Sequence, residues 1–421
     1  MNETIQYNEV KKEDIAVYNA LQQELKRQEN TLELIPSENL ASKAVMQAQG
    51  SILTNKYSEG YPGKRYYGGN KYVDIIEQIA IDRAKQLFRA QHANVQPLSG
   101  AIMNIATFFA LLNPGDTILG MDLGHGGHLT HGHPVTHMYK VFNFVRYKTD
   151  LQNEGEIDYE NIKEMAIKHK PKLILAGFSA YSKTLDWKKF KEIAEEVGAY
   201  TMADVSHISG LIAGNALENP LDHGFDVMTT TTHKSLRGPR GGVILCKEKY
   251  KKAIDKAIFP GLQGGPLEHV IAAKAIGFKE ALTPEFKEYA KQIISNAKAL
   301  EIGLKKENIT ICFNKTENHL LLIDLRPQKV TGKEIEKILD DIGICCNKNS
   351  IPDDETTSPL NPNGLRIGTP LITTRGLNEK DCEQLGIHIG KIINDFKNEE
   401  LKDEIKEFVD KMCKKYPIYQ N

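Results

Sequence analysis

The sequence predicts an α/β protein in which a large domain, built on a mostly parallel sheet covered by helices, is followed by a smaller α/β domain. Three observations predict it. Amphipathic helices and short apolar strands alternate over about 200 residues, the rhythm of strand, crossover helix and parallel strand. An aspartate and a lysine, Asp204 and Lys234, stand at the ends of two of those strands. Beyond Pro284 the composition shifts toward Lys, Glu and Ile, which marks a second domain.

Taken in order, residues 11–30 carry a charged helical pattern and residues 32–40, with Pro36, read as irregular. Together they predict an N-terminal arm. Residues 72–88 place Val73, Ile76, Ile79, Ala80, Ala84, Leu87 and Phe88 at helical spacing. A helix over 101–112, the turn Asn113-Pro114-Gly115-Asp116 and a strand over 117–121 come next. The same alternation repeats as helix 159–168, strand 173–176, helix 186–198 ending at Gly198, and strand 200–203. Two β-like runs, 227–231 and 242–246, complete it. A helix over 285–304, a strand over 319–324 and helices on both sides of Cys345 make up the second domain. The expected boundaries are an arm over 1–55, a large domain over 56–282 and a small domain over 283–421.

Composition excludes several classes. A chain of 421 residues exceeds the roughly 150 of one ordinary domain. With 40% hydrophobic and 26% charged residues it is neither disordered nor fibrous. The net charge of −1 supplies no field for nucleic acid or an anionic membrane. No apolar stretch reaches the roughly 20 residues that span a bilayer, and the N-terminus resembles neither a secretory signal nor a transit peptide. The six cysteines, Cys246, Cys312, Cys345, Cys346, Cys382 and Cys413, show no C-x-x-C spacing. A reduced, cytoplasmic location without zinc is expected.

The sharpest local signal is a β-branched strand, Val227-Met228-Thr229-Thr230-Thr231-Thr232, running directly into His233-Lys234. Most lysines are solvated. This one follows a buried-type strand, and thirty residues upstream Asp204 ends another in a sheet whose ligands bind at strand carboxyl ends. An acid and an amine so placed suit pyridoxal phosphate: the lysine forms the Schiff base, and the carboxylate keeps the ring nitrogen protonated. The phosphate needs N–H groups at a helix start, and Leu98-Ser99-Gly100-Ala101 opens such a helix. Four histidines, His125, His128, His131 and His133, fall within nine residues. No complementary Cys, His or carboxylate cluster accompanies them, so no metal is expected, and an imidazole stacked on the cofactor ring is the better reading. The segment 55–69 gathers four tyrosines, Glu59 and several glycines, the make-up of a lid or a subunit contact.

These segments, with Leu34-Ile35-Pro36-Ser37-Glu38-Asn39, Gly126-Gly127-His128-Leu129-Thr130-His131-Gly132, Gln263-Gly264-Gly265-Pro266 and Gly364-Leu365-Arg366-Ile367-Gly368-Thr369-Pro370, resemble serine hydroxymethyltransferases nearly end to end. The resemblance implies a fold-type I pyridoxal-phosphate transferase with a seven-stranded sheet. It implies that Lys234 carries the cofactor, Asp204 partners the pyridine nitrogen, His128 covers the ring and His207 sits by the phenolic oxygen. Ser99, Gly100, Ala101 and His233, with Tyr57 and Gly265 from a partner subunit, would hold the phosphate; Ser179 would line the ring. Thr231 counts among the catalytic candidates. Ser37 and Arg366 would bind the amino-acid carboxylate, the guanidinium offering a two-pronged grip. Glu59, supported by Tyr67, would manage protons beside the serine hydroxyl. Leu123, Gly127, Leu129, Asn349, Ser358, Pro359 and Leu360 would contact folate.

The implied reaction moves the hydroxymethyl group of serine to tetrahydrofolate, giving glycine and methylene-tetrahydrofolate. The implied assembly is a homodimer, or a tetramer of paired dimers. Two alternatives are a folate-independent 3-hydroxy amino acid aldolase, and a non-catalytic scaffold or RNA-binding protein on the same fold. The chain departs from the family pattern at Ala101, where a serine is usual, and at Ser206, where alanine is usual. The first loses a hydroxyl near the phosphate, and the second is expected to be a tolerated small-residue change.

Overall fold

The computed structural model describes residues 7–354, 358 and 360–419. Its contacts divide the chain into two compact units, one formed by residues 44–291 and the other by the described parts of 1–43 and 292–421. This differs from the expected division. The described residues 7–43 are not a separate arm, because Leu32 and Leu34 are fully buried in the same hydrophobic core as Leu300, Leu321, Ile367, Leu385 and Ile389. The Arg375 guanidinium also donates to the backbone carbonyls of Gln28, Glu29 and Thr31. At the other boundary the division falls inside the helix Pro284–Lys306 rather than before it.

The unit of residues 44–291 contains a seven-stranded sheet. Its strands in chain order are β1 (His92–Asn94), β2 (Thr117–Met121), β3 (Asn143–Tyr147), β4 (Leu173–Gly177), β5 (Tyr200–Asp204), β6 (Val227–Thr231) and β7 (Gly242–Cys246). They lie in the order β1-β7-β6-β5-β4-β2-β3. Every neighbouring pair is parallel except those made by β7, which runs against both β6 and β1. The mostly parallel α/β architecture is therefore present, with all five residues of β4, β6 and β7 buried. Continuous burial is what helices on both faces of a sheet impose. The helices include α1 (Lys71–Phe88), α2 (Gly100–Leu111), α3 (Tyr159–His169), α4 (Trp187–Val197) and α5 (Glu268–Ala281). One layer of the core joins Phe108 on α2 to Ile118, Leu173, Leu175 and Met202, while another joins Met103 and Ala106 to Val227, Ile244 and Cys246.

The strands that sequence reasoning did not name are β1 and β3, which lie at the two edges of the sheet. An edge strand needs no continuous apolar run. β1 is His-Ala-Asn, and four of the five β3 residues are partly or fully exposed.

In the other unit, β8 (Leu320–Asp324), β9 (Asn347–Asn349) and β10 (Gly364–Gly368) form an antiparallel sheet with β10 in the middle. The expected helix over 11–30 is two helices, Asn8–Glu13 and Ile15–Glu29, because the Asp14 carboxylate caps the second by accepting from Ala16 and Val17. The stretch expected to be irregular contains a short strand, Leu32–Glu33, pairing in parallel with Ile344–Cys345. Among the described residues, no helix is long and apolar enough to cross a membrane.

Candidate active site

The ends of β5 and β6 are bound together residue by residue. Val205 N–H donates to the Thr229 carbonyl, Thr231 N–H to Ser206 Oγ at 3.2 Å, and Ser235 Oγ to the His207 carbonyl at 2.8 Å. Ser235 Oγ also accepts from Gly210 N–H. Asp204, Thr231, His207 and Lys234, all buried, therefore belong to one rigid strand-end assembly.

Asp204 is its electrostatic centre. Oδ2 accepts from Asn104 Nδ2 at 2.9 Å and lies 3.0 Å from His131 Nε2, while Oδ1 accepts from Ser206 Oγ at 2.6 Å and from Ser206 N–H at 3.2 Å. Burial opposes a charge here. The His131 hydrogen bond, the His131 and His128 rings and the Ser206 hydroxyl outweigh it and hold the carboxyl far below the usual carboxylate range. Asn104 is fixed in turn by accepting from Thr229 Oγ1 and donating to Thr130 Oγ1, and Thr130 reaches His128 Nδ1 at 2.8 Å.

Sequence reasoning missed three of these supports. The sequence offers His131 only as part of a motif and Ser206 only as a tolerated change, and Asn104 carries no motif of its own there. Ser206 instead joins Asp204 to β6. The spacing of Asn104, one turn into the helix opened by Ser99, was the available signal. Ligand-type atoms of His128, His131 and Asp204 lie within 4.8 Å of one another, the spacing of a metal site. The His131–Asp204 hydrogen bond accounts for that closeness without an ion.

Ser99 caps α2, its Oγ accepting from Ile102 N–H at 3.4 Å, and Gly100 begins the helix. A Cβ at Gly100 would meet Thr231 Cγ2 at 2.8 Å, so only glycine lets the helix start this close to the end of β6. Lys274 Nζ, buried in α5, donates to the carbonyls of Val95, Pro97 and Gly242 and so fixes the turn leading into Ser99. Ala101 follows with an exposed side chain. His233 Nδ1 is buried and has no hydrogen-bond partner among the described residues. Burial, then the charges of Arg240, Lys234 and Lys274, push the His233 imidazole down to about 3, so it is neutral. Ser179 N–H donates to the Gly126 carbonyl at 2.7 Å, which brings the Ser179 loop to the histidine loop. There a Cβ at Gly127 would meet the Met121 carbonyl at 2.3 Å. His128 and Leu123 are half-buried, and Leu129 is exposed.

The tyrosine loop forms its own group in the same unit. Tyr57 and Tyr67 meet edge to face at 5.0 Å, Tyr57 Oη donates to Glu59 Oε1 at 3.3 Å, and both rings are about half exposed. A Cβ at Gly264 would lie 3.3 Å from Glu59 Oε1, and one at Gly265 would lie 3.3 Å from the Tyr57 ring. Tyr57, Glu59, Tyr67, Gly264 and Gly265 are thus neighbours.

Arg366 and Asn349 lie in the other unit, on β10 and β9. Arg366 Nε donates to Asn347 Oδ1 at 3.1 Å, and burial pulls its guanidinium down to about 10. Gly368 N–H donates to the Leu34 carbonyl, which sets the Leu34–Pro36 segment, and Ser37 after it, against the strand of Arg366. Ser358 and Leu360 are exposed, and Pro359 lies outside the described residues.

The residues present fit pyridoxal phosphate. A buried carboxylate held ionised suits a cationic ring N–H, and the orphaned His233 Nδ1 and the helix start at Gly100 each suit a phosphate oxygen. The serine hydroxymethyltransferase family, whose members are pyridoxal-phosphate enzymes, matches residues 10–389 of this chain, and the chain belongs to that family.

Proposed function

We propose that this protein transfers the hydroxymethyl carbon of serine reversibly to tetrahydrofolate, giving glycine and 5,10-methylenetetrahydrofolate. The observation that carries this reading is the rigid strand-end assembly in which Asp204, ionised and buried, shares a framework with Lys234. Bound there, pyridoxal phosphate supplies an electron sink for the bond broken at the substrate α-carbon.

The chain's own residues do the rest. Lys234 Nζ would anchor the cofactor covalently. Asp204 would hold a proton on the ring nitrogen, His128 would cover the ring face, and His207 would lie by the phenolic oxygen. Ser99, Gly100, Ala101 and His233 bind the phosphate from one chain, with Tyr57 and Gly265 from another, which makes a homodimer the smallest complete site. Thr231 and Ser179 line the ring. Ser37 and Arg366 bind the substrate carboxylate. Glu59, with Tyr67 beside it, holds or moves the proton at the serine hydroxyl. Leu123, Gly127, Leu129, Asn349 and the 358–360 loop receive the folate.

The decisive measurement is the absorbance spectrum of the cofactor-loaded protein with glycine, with and without tetrahydrofolate. A new long-wavelength band that grows only when folate is added is expected. The same band at full strength with glycine alone would point to a folate-independent aldolase. Lys234→Ala should leave no cofactor trapped by borohydride, and a variant that still traps it overturns the anchoring role.

A further inference from the structure

Beneath the tyrosine loop lies a buried set of charged groups that the proposed reaction does not use. Ser58, fully buried between Tyr57 and Glu59, donates through Oγ to Glu268 Oε1 at 2.6 Å. Arg65 Nη1 donates to the carbonyls of Ser58 and Gly60, its Nε to Asp74 Oδ1 at 2.9 Å and its Nη2 to Glu77 Oε2 at 2.5 Å. Nη2 also lies 3.6 Å from Glu268 Oε1. Gln96 Nε2 bridges the Gly60 carbonyl and Glu77 Oε1. The side chains of Glu77 and Glu268 are 0% exposed and that of Arg65 is 4% exposed.

The hydrogen-bond inventory locates a proton. Three carboxyls, those of Asp74, Glu77 and Glu268, face one guanidinium. The nearby Lys274 spends its N–H groups on three carbonyls. The Glu77 and Glu268 carboxyls crowd the same Arg65 Nη2, at 2.5 Å and 3.6 Å, and two buried carboxylates so placed repel, which favours one of them keeping its proton. Glu77 accepts from donors on both oxygens, so it is the ionised partner. No donor among the described residues reaches Glu268 Oε2, which is buried. That oxygen carries the proton.

Resting on the reading of the tyrosine loop given above, we propose that Glu268 is a proton-bearing positioning residue: as a carboxylic acid it clamps the loop through Ser58, and loss of its proton releases Tyr57 and Glu59. Burial, with Glu77 beside it, pushes the Glu268 carboxyl up to about 8. Glu77, Arg65 and Lys274 are the charged groups that act on it, and the Arg65 guanidinium is already shared between Asp74 and Glu77. A new buried carboxylate must be hydrated, and the half-exposed tyrosine loop is the thinnest cover over it.

The test is hydrogen exchange of residues 57–67 in the cofactor-loaded protein from pH 7 to 9.5, corrected for the intrinsic rise of exchange with pH. In the wild type, protection should fall as pH rises toward the Glu268 titration near 8, by up to about tenfold per pH unit, and level off above it. Glu268→Gln, whose amide can still donate to Glu77 and accept from Ser58, should hold its protection across the range. Ser58→Ala should show reduced protection already at pH 7. A flat wild-type profile, a Gln variant that loses protection as the wild type does, or a Ser58→Ala variant as protected as the wild type would each overturn the proposal. Folate-dependent turnover is read separately: its absence with an intact exchange profile counts against the proposed function and not against the clamp.

Discussion

Two buried carboxyls in the same unit, Asp204 and Glu268, are driven to opposite charge states. Burial favours the neutral acid at both. At Asp204 the ring of His131, the amide of Asn104 and both donors of Ser206 meet two oxygens, and ionisation wins. At Glu268 one hydroxyl meets one oxygen, a second carboxyl adjoins, and the proton stays. The number and sign of directed neighbours, not depth, decides the charge. The proposed function needs a fixed anion at the first, and the proposed clamp needs a neutral acid at the second.

Asp204→Asn should break the comparison most sharply. It keeps the shape and removes the charge, and the proposed turnover should fall on the order of 10²–10³-fold, read as kcat/KM. A loss under tenfold would mean that the ring nitrogen does not depend on this charge. His131→Asn should come next. Removing one hydrogen bond to a charged group costs about 1.5–3 kcal/mol, or roughly ten- to a hundredfold. The cofactor spectrum should become pH-sensitive in the range where the wild type's is constant.

The two carboxyls also predict opposite pH slopes of stability. Asp204 titrates below its unfolded value, so its contribution is present above the ordinary carboxylate range and is lost only as pH falls toward its folded value. Glu268 titrates above its unfolded value of 4.5. Its contribution is complete below that value and disappears as pH rises through about 8. Glu268→Gln should therefore gain Tm relative to the wild type between pH 7 and 9, by several degrees at the alkaline end. A constant difference in Tm over that range would show that Glu268 does not titrate there. The smallest effect belongs to Ser206→Ala. The Asp204 carboxylate retains His131 and Asn104, so activity should fall less than about tenfold, and an Asp204-sized loss would make Ser206 an equal partner in holding the charge.

Periodicity alone made most of the α/β framework legible, because buried strands and amphipathic helices must repeat their apolar residues at fixed intervals. It did not reveal β1 and β3, whose edge positions relieve them of that requirement. Nor did it show that Leu32 and Leu34 share a core with residues between 297 and 413, since they meet their partners from the far end of the chain.

At the site, Asp204 and Lys234 stand out in the sequence because Asp204 ends, and Lys234 closely follows, a strand whose residues announce burial. By itself the sequence determined which chemical groups stand at strand ends and helix starts, since backbone geometry places those positions. Only the tertiary structure decided their charge. Whether a carboxyl keeps its proton depends on donors brought from elsewhere in the chain: Asn104 and His131 for Asp204, Ser58 and Arg65 for Glu268. Sequence spacing carries no measure of those approaches.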